Sequence, residues 1–162
     1  MLSKAIAIID DEIDLVTLFR EILENEGLQV CTFTDPVEAY NKLKHSLKEY
    51  SLVISDYKMP KMNGNELCTK LISINSQLKV ILMSAYQDVE YDKSRFTFIR
   101  KPMPISKLLK IVYETLTKEN RDIAHYRIEY RGLKSIYSIK RLTWNDKYID
   151  KWENNIFMLN NY

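Results

Sequence analysis

Five short apolar runs recur along this chain, and segments with apolar residues at helical spacing lie between most of them. The runs cover residues 4–9, 28–33, 52–55, 80–83 and 96–99, and each has the length of a strand rather than of a helix. Strands that alternate with helices favour a parallel sheet with right-handed crossovers and helices on both faces. The pattern therefore predicts an α/β fold with five parallel strands.

The predicted helices begin and end at residues that are common at helix ends. The acids at 10–12 stand where they complement the dipole of the first helix, and Gly27 suits the position after its end. Asp35 followed by Pro36 predicts the N-cap and first position of the second helix. The faces expected to be buried carry Leu15, Leu18, Phe19, Ile22 and Leu23; Val37, Tyr40, Leu43 and Leu47; Leu67, Leu71 and Ile74 in a helix over 66–74; and Ile105, Leu108, Leu109, Val112 and Leu116.

One connection breaks the alternation of strand and helix. Residues 86–95, between Ser84 and the fifth strand, carry no apolar stripe, and Val89 is their only aliphatic residue. A helix here would have one or two turns, or the segment would be a loop. The sequence therefore predicts a shortened fourth helix.

Length and composition indicate a soluble protein in a reducing compartment. With 162 residues, 46% of them hydrophobic, the chain fits one domain of ordinary size plus an extension. Cys31 and Cys68 have neither disulfide-framework nor metal-site spacing, so we expect buried free thiols. No apolar run near the start is long enough for a signal or membrane-spanning segment, and the net charge of +2 is small. We therefore expect a cytoplasmic protein that does not contact a membrane.

Polar residues follow four of the predicted strands directly. Asp10 and Asp11 follow the first strand, Asp56 the third, Ser84 the fourth and Lys101 the fifth. Asp56 alone could be a nucleophile, a metal ligand or a loop residue. Parallel strands place their carboxyl ends at one edge of the sheet, where ligands bind in open α/β folds. We therefore expect these five residues to converge on one site.

The residue types at these strand ends suit phosphoryl transfer. Three neighbouring carboxylates repel each other unless they take up protons or bind a cation, and oxygen ligands without His or Cys favour Mg²⁺ over Zn²⁺. A carboxylate beside Mg²⁺ can attack a phosphoryl group while a lysine and a hydroxyl stabilise its oxygens. A phosphatase of the haloacid dehalogenase type also uses an aspartate nucleophile. It expects a second aspartate two residues later, where this chain has Lys58.

Four motifs stand in order at the strand ends: Ile9-Asp10-Asp11-Glu12, then Asp56-Tyr57-Lys58-Met59-Pro60 with Gly64, then Met83-Ser84-Ala85, then Lys101-Pro102. Over residues 4–118 the sequence resembles the receiver domain of two-component response regulators. That resemblance implies a CheY-like, flavodoxin-like fold with strand order 2-1-3-4-5. It implies a receiver domain at 1–120 and a C-terminal extension at 121–162.

The resemblance also implies which residues carry the reaction. Asp56 would be the phosphoacceptor. Asp11, Asp56 and the backbone carbonyl of Lys58 would bind Mg²⁺, with Asp10 reaching the ion through water. Lys101, with the hydroxyl after the fourth strand, would hold the phosphoryl oxygens.

Other residues would report or modulate the phosphorylated state. Ser84 and Phe98 match the positions of the family's switch residues, and the Lys101–Pro102 peptide bond is expected to be cis. Lys58 and Tyr86 each lie two residues beyond a site residue and would flank the phosphoryl group. The ring of Tyr86 is expected to shield the acyl phosphate from water.

The resemblance further implies a histidine kinase or a histidine phosphotransfer protein as donor, and a phosphoacceptor rather than a turnover enzyme. We expect output by contact with a downstream protein, and a homodimer is compatible with the family. The basic and aromatic extension is expected to pack on the domain, near the shortened helix, or to contact a partner. Nucleic acid is the less favoured partner. The alternative is an atypical transcriptional regulator whose extension binds nucleic acid.

Overall fold

The computed structural model describes residues 4–86 and 88–117 of the chain. Their elements, in chain order, are β1 (Ala5–Ile9), α1 (Ile13–Asn25), β2 (Val30–Phe33), α2 (Pro36–Leu43), a 3₁₀ turn (Leu47–Glu49), β3 (Tyr50–Asp56), α3 (Gly64–Ile74), β4 (Lys79–Ser84), β5 (Phe96–Arg100) and α4 (Ile105–Thr117). All neighbouring strands are parallel, in the order β2-β1-β3-β4-β5. The predicted α/β fold and strand order are confirmed.

The sheet separates two apolar cores because successive residues of a strand point to opposite faces. Val53 belongs to the core under α2 and α3, whereas Leu52 and Ile54 belong to the core under α1 and α4. These strand residues are almost fully buried. Coverage on both faces explains why the central strands read as continuous apolar runs.

Side chains and backbone geometry fix most helix ends as predicted. Oδ1 of Asp35 accepts hydrogen bonds from the amides of Val37 (2.8 Å) and Glu38 (3.2 Å), so Asp35 caps α2. Gly27 has a φ of +78° just beyond α1, a conformation that favours glycine. Oδ1 of Asn63 caps α3 through the amide of Glu66 (2.8 Å), which starts that helix earlier than predicted.

Three details of the predicted packing are wrong. Helix α2 ends at Leu43, so Leu47 is buried from the 3₁₀ turn and not from the helix. Ile74 is 52% exposed because the buried face of α3 includes Cys68 and Ile72, and Ile74 lies at the end of the helix outside that face. Cys31 is exposed because it lies on β2, an edge strand with a neighbour on one side only.

Cys68 is buried in α3, as predicted, and burial raises the pKa of its thiol to about 12. A thiol in such an environment stays protonated and behaves as a small apolar side chain. The two cysteines therefore differ in accessibility, although both lie in apolar-periodic sequence.

The connection between β4 and β5 contains no helix among its described residues, which bears out the predicted shortening. Instead, the ring of Tyr91 stacks on Phe98 of β5, with centroids 5.1 Å apart and planes at 19°. The hydroxyl of Tyr57 donates to the carbonyl of Glu90 at 3.2 Å. Side chains therefore hold this segment against the sheet in place of a helix.

None of the helices in the described part of the chain is both long and apolar enough to cross a membrane. The predicted extension at 121–162, with its expected packing near the shortened helix, lies outside the described residues.

Candidate functional site

Asp56 is the last residue of β3, and its carboxylate is held by two donors. Its Oδ2 accepts a hydrogen bond from the backbone amide of Lys58 at 2.7 Å. Its Oδ1 accepts one from Nζ of Lys101 at 2.5 Å. The residue is only 8% exposed, so a buried carboxylate with a fixed orientation stands at the carboxyl edge of the sheet.

Lys101 links two carboxylates that lie 46 positions apart in the chain. Its Nζ is 2.7 Å from Oδ2 of Asp10 and 2.5 Å from Oδ1 of Asp56. Burial disfavours the ammonium ion, but the charges of the two acids outweigh burial and raise the pKa of Lys101. The Lys101–Pro102 peptide bond is cis, as predicted. The lysine is therefore a fixed positive charge between the acids.

Asp10 is almost completely buried at the end of β1. Burial raises the pKa of its carboxyl, the charge of Lys101 partly opposes that rise, and the nearby charge of Asp56 adds to it. Its Oδ1 accepts a hydrogen bond from the amide of Glu12 at 3.0 Å, so the acid is oriented by the start of α1. Two buried acids thus share one lysine.

Ser84 is buried at the end of β4, the strand that lies between β3 and β5 in the sheet. Its Oγ accepts a hydrogen bond from the amide of Tyr86 at 3.0 Å, and its carbonyl accepts one from the amide of Lys101 at 2.7 Å. The neighbouring strand β5 carries Phe98, which is half-buried and stacked on Tyr91. Both predicted switch residues therefore lie on the two strands that border the segment without a helix.

Lys58 and Tyr86, which were expected to flank the site, contact each other. Nζ of Lys58 donates to the hydroxyl of Tyr86 at 2.9 Å and lies 4.5 Å from the centre of its ring. This hydrogen bond and the neighbouring phenol raise the pKa of Lys58. Both side chains are exposed. The pair therefore joins the loop after Asp56 to the chain after Ser84 at the solvent side.

Two small residues fix the backbone of Asp56. A Cβ atom on Gly64 would lie 2.0 Å from the carbonyl oxygen of Asp56, so only glycine fits there. Oγ of Ser55, a fully buried residue, donates to the same carbonyl at 2.9 Å. Sequence reasoning included Gly64 in a motif but missed Ser55. A lone hydroxyl inside an apolar strand was the available signal.

The donor atoms fit a hard divalent cation, although the described side chains do not form a complete metal cluster. Asp10 and Asp56 bring carboxylate oxygens together, whereas Asp11 is exposed. No group of three or more His, Cys, Asp or Glu residues among the described residues is arranged to hold an ion. The carboxylate oxygens of Asp10 and Asp56 are hard oxygen donors of the kind that Mg²⁺ prefers.

Known proteins are similar to this chain in sequence. PgtA, the phosphoglycerate transport system transcriptional regulatory protein of Salmonella typhimurium, is 28% identical over 149 residues, which cover 89% of this chain and 35% of PgtA. The response regulator RppA of Synechocystis is 30% identical over 109 residues, which cover 64% of this chain and 47% of RppA. The chain thus spans less than half the length of either relative.

A solved structure shows the same fold. The CheX–CheY–BeF3–Mg²⁺ complex from Borrelia burgdorferi contains a chain that is 26% identical to this one, with a TM-score of 0.61. The match covers 68% of this chain and 87% of that chain. The family model of the response regulator receiver domain matches residues 6–113, which include every predicted site residue. The chain therefore belongs to the response regulator receiver domain family.

Proposed function

We propose that the chain accepts a phosphoryl group on Asp56, with Mg²⁺, from a histidine kinase or a histidine phosphotransfer protein. The observation that carries this proposal is the Asp56 carboxylate, buried at a strand end and held between the Lys58 amide and the Lys101 ammonium group. Family membership supports it, because receiver domains are phosphoacceptor signalling domains rather than turnover enzymes.

In the proposed reaction a carboxylate oxygen of Asp56 attacks the phosphorus atom of the donor. A new P–O bond forms, the bond between phosphorus and the donor's imidazole nitrogen breaks, and the electron pair of that bond stays on the imidazole. Lys101 carries a positive charge beside the attacking carboxylate of Asp56, where it stabilises the phosphoryl oxygens. The hydroxyl of Ser84 supplies a hydrogen bond to the same oxygens.

A divalent ion at this site would be held by Asp10, Asp11, Asp56 and the backbone carbonyl of Lys58. When bound, Mg²⁺ neutralises charge on the phosphoryl oxygens during transfer. The Borrelia burgdorferi complex contains CheY together with BeF3 and Mg²⁺. A protein of the same fold is therefore found with Mg²⁺, which supports the choice of this ion.

Mass spectrometry of the intact protein with acetyl phosphate and Mg²⁺ tests the proposal. Wild type should gain one phosphoryl group, whereas Asp56→Asn and wild type with EDTA should gain none. Glu24→Gln, which neutralises an exposed carboxylate of α1, is the matched control and should behave as wild type. No gain in wild type, or an equal gain in Asp56→Asn, would reject the proposal.

We infer that the phosphorylated state is read by a downstream protein in the cytoplasm. The described residues between β4 and β5 form no helix, so such a partner would meet a loop surface there. The name of PgtA, a transcriptional regulatory protein, favours a second candidate in which residues 121–162 bind nucleic acid.

A pull-down with and without beryllium fluoride, beside a gel-shift assay with duplex DNA, separates the two outputs. Capture of a protein that depends on beryllium fluoride supports protein contact. A DNA shift that disappears on truncation at residue 120 supports the second candidate instead. Size-exclusion chromatography with and without beryllium fluoride tests whether the protein forms a homodimer.

A further inference from the structure

Lys61 has a backbone conformation that residues other than glycine rarely adopt. It lies in the loop between β3 and α3, and its φ is +68°, in the left-handed region where glycine is favoured. This loop, residues 57–63, also provides the amide of Lys58 that binds Oδ2 of Asp56. A strained lysine is thus built into the loop that orients the proposed phosphoacceptor.

The side chain of Lys61 is anchored to a fixed point outside the loop. Its Nζ forms an ion pair with Oδ2 of Asp35, while Oδ1 of Asp35 accepts the amides of Val37 and Glu38 at the start of α2. Asp35 therefore uses its two oxygens for two tasks. One caps a helix that packs on the sheet, and the other holds the loop.

We propose that the ion pair of Lys61 with Asp35 positions the loop at 57–63 for phosphoryl transfer. The pair spans from the N-terminus of α2 to the loop after β3 and holds the backbone that carries the Lys58 amide. Lys61 is a positioning residue, since it acts on Asp56 through the loop and does not touch it. This inference rests on the proposed function of Asp56.

The ion pair lies at the surface, which sets the size of its effect. The side chains are 64% and 31% exposed, and exposed ion pairs contribute little and are weakened by salt. Loss of the pair should slow phosphorylation about threefold, the order expected for such a contact. The rate advantage of wild type should shrink as ionic strength rises.

Substitutions of Lys61 separate positioning from stability. Lys61→Met and Lys61→Gly both remove the ion pair, but glycine also relieves the positive φ and should make the protein more stable than methionine does. Both variants should be phosphorylated by acetyl phosphate about threefold more slowly than wild type. Lys61→Arg keeps a cation and should be close to wild type. Lys70→Met removes a neighbouring ion pair with Glu66 on α3 and serves as the control.

The experiment measures phosphorylation rates by intact mass at low and high salt, and unfolding in urea for every variant. Equal slowing of Lys61→Met and Lys61→Gly despite different stabilities, with rates converging on wild type at high salt, supports positioning. A wild-type rate in Lys61→Gly, or rates that follow stability across the variants, overturns it. Failure of wild type to be phosphorylated at all would instead overturn the proposed function.

Asp35→Asn completes the test because its remaining oxygen can still cap α2. Combined with Lys61→Met, it should slow phosphorylation no further than either substitution does alone. Effects of the two substitutions that multiply would show that Lys61 acts without Asp35, and would overturn the inference.

Discussion

The crossover from β3 to β4 and the crossover from β4 to β5 each cover part of the sheet, but different structures do so. The first uses α3, whose Leu67, Cys68 and Leu71 are completely buried on the sheet. The second has no helix in its described part, and the ring of Tyr91 stacks on Phe98 of β5 instead. A regular helix secures one crossover, and a few side-chain contacts secure the other.

The difference shows that the site does not depend on a helix in the second crossover. Asp10, Asp56 and Lys101 come from the ends of β1, β3 and β5, and strand pairing brings them together. The described residues of the segment at 86–95 reach the surroundings of that centre through Tyr57, Lys58 and Ser84. Strand pairing therefore assembles this centre without a helix in the described part of the second crossover.

The largest expected effect compares two glycines. Gly64→Ala should destabilise the protein by roughly 3–5 kcal/mol, because its Cβ would meet the Asp56 carbonyl at 2.0 Å. Gly27→Ala meets nothing within 4 Å and should cost about 1 kcal/mol, for its positive φ alone. Urea unfolding measures both. Equal losses would show that the first crossover does not constrain the backbone of Asp56.

A second pair of substitutions compares the two crossovers directly. Leu71→Ala should cost about 3 kcal/mol, as expected for a large apolar residue in a closed core. Tyr91→Ala should cost about 1 kcal/mol, because it removes one stacked pair beside solvent. A loss for Tyr91→Ala as large as that for Leu71→Ala, in the same urea titrations, would mean that the segment is packed as tightly as a helix.

The pH dependence of stability tests the ion pair of Lys61 with Asp35, which lies at the start of the first crossover. The hydrogen bond from Lys61 lowers the pKa of Asp35 below its ordinary value of 3.8. A lowered carboxyl pKa contributes stability above pH 3.8 that is lost as the pH falls through the lowered value. The stability difference between wild type and Lys61→Met should therefore vanish in acid. A difference that persists there would argue against the ion pair.

The smallest expected effect concerns the outer contact of the second crossover. Tyr86→Ala removes the ring beside Lys58, so water should reach the acyl phosphate more readily and self-dephosphorylation should accelerate about threefold. Decay of purified phosphoprotein, followed by intact mass, measures the rate. Tyr91→Ala is the control because its ring lies on Phe98. Equal decay in wild type and Tyr86→Ala would reject shielding.

Local patterns predicted most of this fold, because each strand is an apolar run that ends at a polar residue. Asp10, Asp56 and Lys101 could be placed together from strand topology alone, since parallel strands share one carboxyl edge. The ion pair of Lys61 with Asp35 could not, because the long side chain of Lys61 reaches from its loop to the start of α2, 26 positions away in the chain. The exposure of Ile74 likewise depends on where α3 ends, because Ile74 is its last residue.

The position of the phosphoryl group tests the central claim most directly. Borohydride reduction of the phosphorylated protein converts an aspartyl phosphate to homoserine, and peptide mass spectrometry then locates the modified residue. Homoserine at position 56 alone, formed only in the presence of both phosphodonor and Mg²⁺, is the predicted result. Homoserine at position 10 or 11, or none at all in a protein that has gained a phosphoryl group, would contradict the assignment of Asp56 as the phosphoacceptor.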